Sequence, residues 1–266
     1  MFHSFYGWYL KCQSDTQTLA VIPAIHNTGN KRTCSIQVIT DEDAWTVMFP
    51  EDEFQRTKRN IFIGKNRFGE KGIDLAIHTP QVTVKGRLDF GPLSPLKYDI
   101  MGPFLLVPFM ECRHSVWSMR HLVSGNVLIN GQKYCFRNAW GYWEGDRGRS
   151  FPKEYAWTQC CFPGGALMLS VADIPMAGFL FCRLNVGNAV CGVYILHQCL
   201  RELCESFRFF FLLDVYRMAF IVLCIAFHYI KSHNVFSVFI IENGISFFGL
   251  DHAQVIFSQM NGFAIA

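Results

Sequence analysis

Glu111, Glu144, Asp146 and His114 are the side chains of this sequence best suited to moving a proton. Glu144 and Asp146 fall in the polar run Glu144-Gly-Asp-Arg-Gly-Arg-Ser150. It reads as a tight loop, because Gly145 and Gly148 tolerate backbone angles that other residues avoid. With Arg147 and Arg149 alongside, the two carboxylates are expected to form a loop-fixing salt bridge, which makes them poor proton donors. Glu111 lies where the apolar run Pro108-Phe-Met110 enters the polar cluster Glu111-Cys-Arg-His114. Burial there would favour its neutral acid form, whereas pairing with Arg113 or a distant arginine would give it a structural role. His114 and His121 are seven apart in a segment that reads as extended with a turn; a strand puts residues seven apart on opposite faces, which disfavours joint metal binding. Either imidazole suits a proton relay, and either suits a structural hydrogen bond.

Aromatic residues accompany these groups. Beyond Phe151-Pro152, residues Tyr155, Trp157 and Gln159 alternate with Ala156, Thr158 and Cys160, as a strand would place them. A charged segment feeding an aromatic strand suits a mostly apolar pocket with one polar end. Trp8, Tyr9, Trp117, Trp140, Trp143, Tyr155, Trp157 and Gln159 are the candidate lining residues. The same aromatic density would equally build a β core.

The order Glu144, Gly148, Phe151-Pro152, Lys153, Tyr155, Trp157, Gln159-Cys160 resembles a motif of the tocopherol cyclase family. A second stretch, Phe5-Tyr-Gly-Trp-Tyr-Leu-Lys11, is similar to that family's Phe-Glu-Gly-Trp-Tyr-aromatic-Lys opening, with Tyr6 where the family has Glu. The resemblance covers about residues 5–180. It implies two lipocalin-like β-barrels face to face, the second one incomplete, with a ligand site in or between them. It also implies acid-catalysed ring closure of a hydrophobic prenylated quinol or related isoprenoid. Such an isomerase needs a protonated acid, aromatic faces for the tertiary cation, and a dry pocket. The alternatives are a non-catalytic lipid- or isoprenoid-binding protein of the same fold, and an inactive, truncated or frame-shifted family member. No cofactor and no metal is expected; the partner is a hydrophobic small molecule, a prenyl quinol or lipid.

Composition narrows the field further. A formal charge of +3 over 266 residues, with no Lys/Arg-rich block, argues against nucleic acid. Eleven cysteines make an odd number without a Cys-x-x-Cys pair, as expected of reduced thiols in a cytoplasmic protein. The segment following Met1 lacks a basic region leading into an apolar core, unlike a secretory signal. Gly64-Lys65-Asn66 lacks phosphate-loop spacing, and Ser115 and Ser150 lack the context of a nucleophile elbow.

The elements that must position these residues read as short strands at 18–22, 34–40, 44–48, 61–63, 73–77, 82–88, 123–129, 133–136, 155–160 and 166–171. Asn130-Gly131 is the strongest hairpin signal, and Gly64–Arg67 and Gly91-Pro92 mark further turns. The expected class is all-β. The Pro- and Gly-rich segment 91–103 marks the expected boundary between a first β-domain, 1–103, and the start of a second, 104–180. All six tryptophans lie at or before Trp157 and all ten prolines at or before Pro175. The Phe/Cys-rich tail, 181–266, has three readings: a frame-shifted segment, a membrane hairpin, or a buried helical pair. Membrane association would run through residues 207–250, although Asp214 and Arg217 interrupt the longest apolar run.

Overall fold

The computed structural model describes residues 3–29, 31–106, 110–151, 155–162, 165–174, 179–186, 189–191, 194–195, 237–242 and 245–246. Pro152, Lys153 and most of 181–266 lie outside them. The chain divides into two compact units, one built on Met1–Phe151 and the other on Pro152–Gln254.

The first unit is one antiparallel sheet of eleven strands: β1 (His3–Gln13), β2 (Thr18–Thr28), β3 (Lys31–Thr40), β4 (Ala44–Phe49), β5 (Phe54–Arg56), β6 (Asn60–Ile63), β7 (Asn66–Gly69), β8 (Gly72–His78), β9 (Thr83–Phe90), β10 (Cys112–Ile129) and β11 (Gln132–Gly148). Their spatial order is β4-β3-β2-β1-β11-β10-β9-β8-β7-β6-β5. The sheet is strongly curled, a half-barrel consistent with the lipocalin-like all-β class expected from the sequence. The expected break at 91–103 lies within this unit, since β10 pairs with β9 on one side and β11 on the other.

Alternation decides which side chains enter the curl. Leu10, Leu19, Val21, Ile36, Val38, Ile63, Phe68, Ile73, Leu88, Val127 and Phe136 are all fully buried in one apolar cluster. Their strands present these residues at every second position, so a single concave face collects them. Burial of a Leu, Ile or Phe of this kind stabilises by about 1.5–3 kcal/mol each. Every strand-like run expected in this unit is found, mostly longer than its β-branched core suggested. The hairpin at Asn130-Gly131 joins β10 to β11 with φ of 47° and 87°, the positive pair that a tight two-residue turn requires.

The polar run after Glu144 corrects one expectation. It is strand, paired with β1 and with β10 through Gly148. Its glycines serve close approach instead of turning. A Cβ at Gly145 would strike the Trp117 ring and the Gly7 carbonyl, and one at Gly148 would strike the Glu111 carbonyl.

The second unit holds β12 (Tyr155–Phe162), β13 (Gly165–Ile174), β14 (Phe179–Val186), β15 (Ala189–Cys191), β16 (Tyr194–Ile195), β17 (Ser237–Glu242) and β18 (Ile245–Ser246). The order is β15-β14-β13-β12-β17-β18, with β16 beside β14. Thus β17, from the apolar tail, pairs antiparallel with the aromatic strand β12. Among the described residues no helix is long and apolar enough to cross a membrane.

Gly145→Ala should destabilise the first unit by about 1–3 kcal/mol, because a packed indole and a carbonyl must both give way. Gly131→Ala meets no neighbouring atom and should cost only the strain of its positive φ, about 1 kcal/mol. Urea denaturation of the two variants checks the order; a harmless Gly145→Ala would remove the packing argument.

Candidate functional site

Register carries the candidate acids to one place. On β11, Tyr142, Glu144 and Asp146 share a face; β10 adds His114 opposite Asp146 and β1 adds Tyr9 opposite Glu144. This is the convex face, reverse to the apolar cluster. Tyr9, Tyr142 and Glu144 are buried there, and His114 and Asp146 are largely so.

His114 stands between the carboxylates. Its Nδ1 lies 2.8 Å from Asp146 Oδ1 and its Nε2 lies 3.1 Å from Glu144 Oε2. The first contact has hydrogen-bond geometry. The second is close enough for charge attraction, but Nε2 is poorly aligned for a hydrogen bond. The Tyr142 hydroxyl donates to the same Glu144 oxygen at 2.5 Å. Cys112 Sγ donates weakly to Asp146 Oδ1 at 3.7 Å. Burial opposes a charge on His114, but Asp146 and Glu144 outweigh it and hold the imidazole well above its ordinary range. Burial, then the Glu144 charge, push the Tyr142 phenol well above its own. The Cys112 thiol is raised by burial and by Asp146, so it stays a thiol.

The salt bridge expected with Arg147 and Arg149 is replaced by this pairing with His114. Residues 146 and 147 are neighbours on one strand and point to opposite faces, so Arg147, which is exposed, is turned away from Asp146. Arg149 instead donates its backbone N–H to the Glu111 carbonyl at 2.7 Å. Glu111 is half-buried just before β10, and its carbonyl ties that strand's entry to the end of β11.

The aromatic candidates divide between faces. Trp8, Trp117 and Trp143 belong to the apolar concave side, where the Trp117 and Trp143 rings lie 5.5 Å apart. Tyr9 alone of the N-terminal candidates faces the acids, its ring edge-on to Tyr142 at 6.4 Å. Trp140 is half-buried under the Arg120 guanidinium, 4.6 Å from the ring centre. Tyr6 lies on the face opposite His114. It stacks on Trp8 at 4.0 Å, and its hydroxyl accepts a hydrogen bond from Arg56 at 3.0 Å. A tyrosine at this position therefore removes no carboxylate from the His114 cluster. Within the second unit, Trp157 and Gln159 are buried on β12, and Gln159 Nε2 donates to Cys161 Sγ at 3.3 Å. Tyr155 belongs to the same strand.

His121 takes the face opposite His114, as the spacing implied, despite three irregularities of register along β10. Its Nδ1 meets Ser118 Oγ at 3.0 Å, its ring packs on Phe90, and burial lowers it to about 4. Sequence spacing missed a further property of the acid cluster. His114, Glu144 and Asp146 offer three ligand atoms within 4.8 Å of one another. Each imidazole nitrogen already faces a carboxylate, so a cation would have to displace the His114 proton to be held there.

No protein-family model and no curated protein matches this chain. Among solved structures it is similar to a putative AttH from Nitrosomonas europaea, with a TM-score of 0.48 at 9% identity over 73% of this chain and 68% of that one. It is similar to kievitone hydratase from Nectria haematococca, with a TM-score of 0.46 at 10% identity over 73% and 64% of the two chains. A third likeness is to CghA with Sch210972, with a TM-score of 0.45 at 8% identity over 77% and 63%. The chain thus spans roughly two thirds of the length of each. These likenesses concern the path of the chain and assign it no activity.

The two histidines should titrate in opposite senses. His121, lowered to about 4, contributes stability above its ordinary 6.5 that is lost as pH falls toward 4, roughly 3 kcal/mol in all. Denaturation midpoints at pH 7 and pH 4.5 should show that loss, and His121→Asn should flatten it. His114, being raised, contributes stability present below 6.5 and lost only as pH rises through its folded value. Nitrogen NMR should find both His114 ring nitrogens protonated at pH 7.5, and a neutral ring there would contradict the assignment. In Asp146→Asn the transition should move down toward 6.5.

Proposed function

We propose that this chain is a tocopherol cyclase-like isomerase that closes a ring on a hydrophobic prenylated quinol or related isoprenoid by acid–base catalysis. The observation that carries the reading is the buried imidazole held between two carboxylates beside Tyr142. The two motifs that resemble the family supply its particular chemistry.

An imidazolium raised in pKa keeps its proton and is a weak acid toward an alkene. Entry of an apolar substrate changes that balance, because driving water from a charged pair favours its neutral form. A small turn of the ring aligns Nε2 with Glu144 Oε2, 3.1 Å away, and transfer of its proton leaves a neutral imidazole and a carboxylic acid, the stronger donor of the two. Glu144 then protonates the prenyl double bond at the less substituted carbon, and the tertiary cation forms next to it. Tyr9 and Tyr142 present aromatic edges and faces on that side of the sheet. The quinol oxygen attacks the cation, its proton passes to Nε2, and the starting ion pair is restored. Atoms balance, as an isomerisation demands. Asp146 holds Nδ1–H throughout and so fixes the tautomer.

This assignment moves the acid from Glu111 to Glu144. Glu144→Gln should lower turnover of a prenylated quinol by 10²–10⁴-fold, read as chromanol formed by chromatography, with ligand binding nearly intact. Glu111→Gln should stay within a few-fold of the parent. The reverse order would return the role to Glu111. A parent chain that binds prenyl quinols tightly and never cyclises them would be the non-catalytic carrier instead.

A further inference from the structure

The convex face that buries the acid cluster is open at the far end of the same two strands. Around the Asn130-Gly131 turn, Lys85 and Arg87 of β9, Ser124, Asn126 and Leu128 of β10, and Lys133, Cys135 and Arg137 of β11 are all exposed. Their partners in β-pairing order them into rows. Leu128 sits directly between Lys85 and Lys133, and Asn126 sits between Arg87 and Cys135. Leu128, next to the last residue of β10, is 44% exposed, and Leu122 on the same strand is 42% exposed. A shallow groove of about 330 Å³ runs along the β11 side, lined by Ser124, Asn126, Lys133, Cys135 and Arg137 among others.

Charge on this face leans positive. Arg87 is neutralised by Asp89 at 2.8 Å and approaches Asp74 at 3.7 Å. Among the described residues no carboxylate pairs with Lys85, Lys133 or Arg137. Lys85 and Lys133 flank an exposed leucine, and Arg137 stands four residues further along β11, a pattern that matches an interface anionic at the surface and apolar just beneath. Lysine stems lie along apolar surface while their ammonium groups reach for headgroups, and a leucine between them can enter the acyl boundary.

We propose that the β9–β10–β11 face around Leu128 is a docking surface for an anionic lipid bilayer. Under the proposed function, on which only the purpose of this docking rests, it would bring the chain to the phase where a prenylated substrate resides. The contact is weak and reversible by construction, since each basic side chain near such a surface contributes about fivefold in affinity. Salt should weaken it.

Co-sedimentation with two kinds of vesicle tests the surface: phosphatidylcholine alone, and phosphatidylcholine with roughly one third phosphatidylserine. The parent chain should bind the second and scarcely the first. Charge reversal of Lys85, Lys133 and Arg137 together should cut binding at least a hundredfold. Leu128→Ser should cut it several-fold with the charge unchanged. Equal binding to both vesicles, or binding that survives the triple reversal, would overturn the proposal and point to the apolar tail. Inorganic phosphate that shifts the amide resonances of residues 124–138, without vesicle binding, would overturn it in favour of a simple anion site. Glu144→Gln should bind vesicles like the parent, so failure of the catalytic reading and failure of this one give different results. Circular dichroism confirms that the variants keep their sheet.

Discussion

Strand alternation along β11 is the constraint on which the rest depends. One unbroken strand puts Trp143 into the apolar curl and Tyr142, Glu144 and Asp146 on its reverse. Neither set could be placed without the other, because the side-chain period of a strand is two. The neighbours β1 and β10 obey the same rule and supply Tyr9 and His114 to the polar side, Trp8 and Trp117 to the apolar side. A buried acid cluster is thereby mounted on the back of a packed core, and its geometry is held by the sheet's hydrogen bonds instead of a loop's.

The electrostatics follow from that placement. Two carboxylates brought to one buried spot repel each other, and a protonated imidazole between them relieves both. His114 answers this need through both nitrogens. Tyr142 and Cys112 add donors at the outer edges of the same cluster, which further satisfies oxygens removed from water. On the opposite face His121 meets no such charges, and burial alone drives it the other way. Identical side chains on one strand thus differ in charge because the sheet separates their surroundings.

Much of the fold was legible in the sequence. Alternating β-branched runs gave the strands and the all-β class, and Asn130-Gly131 gave a turn whose backbone angles are the ones that pair demands. The long outer half of β11 was not legible, because arginines, glycines and acids there break the apolar alternation on which strand recognition rests. Gly145 and Gly148 looked like turn residues, yet each is small for the sake of a neighbour from another strand. The candidate acids were recognised by type, but their partner was not. Pairing of His114 with Asp146 is a cross-strand contact 32 positions distant in sequence, whereas Arg147, adjacent in sequence, is turned to the other face.

Asn138, one of two non-glycine residues with positive φ among the described residues, has a wider reach than its size suggests. Core positions fall at Tyr134 and Phe136 before it and at Ala139 and Trp143 after it, so even numbers face inward on one side and odd numbers on the other. The β10 partners step by two where β11 steps by three, which marks an extra residue in β11. The hairpin's lineage is therefore constrained in arithmetic terms. Between Phe136 and Tyr142, loss or gain of a single codon would exchange oil and acid along the whole distal strand. A paired change, or a compensating one across the ladder, would keep both faces. Along this stretch descendants of the gene can vary only by substitution or in even steps.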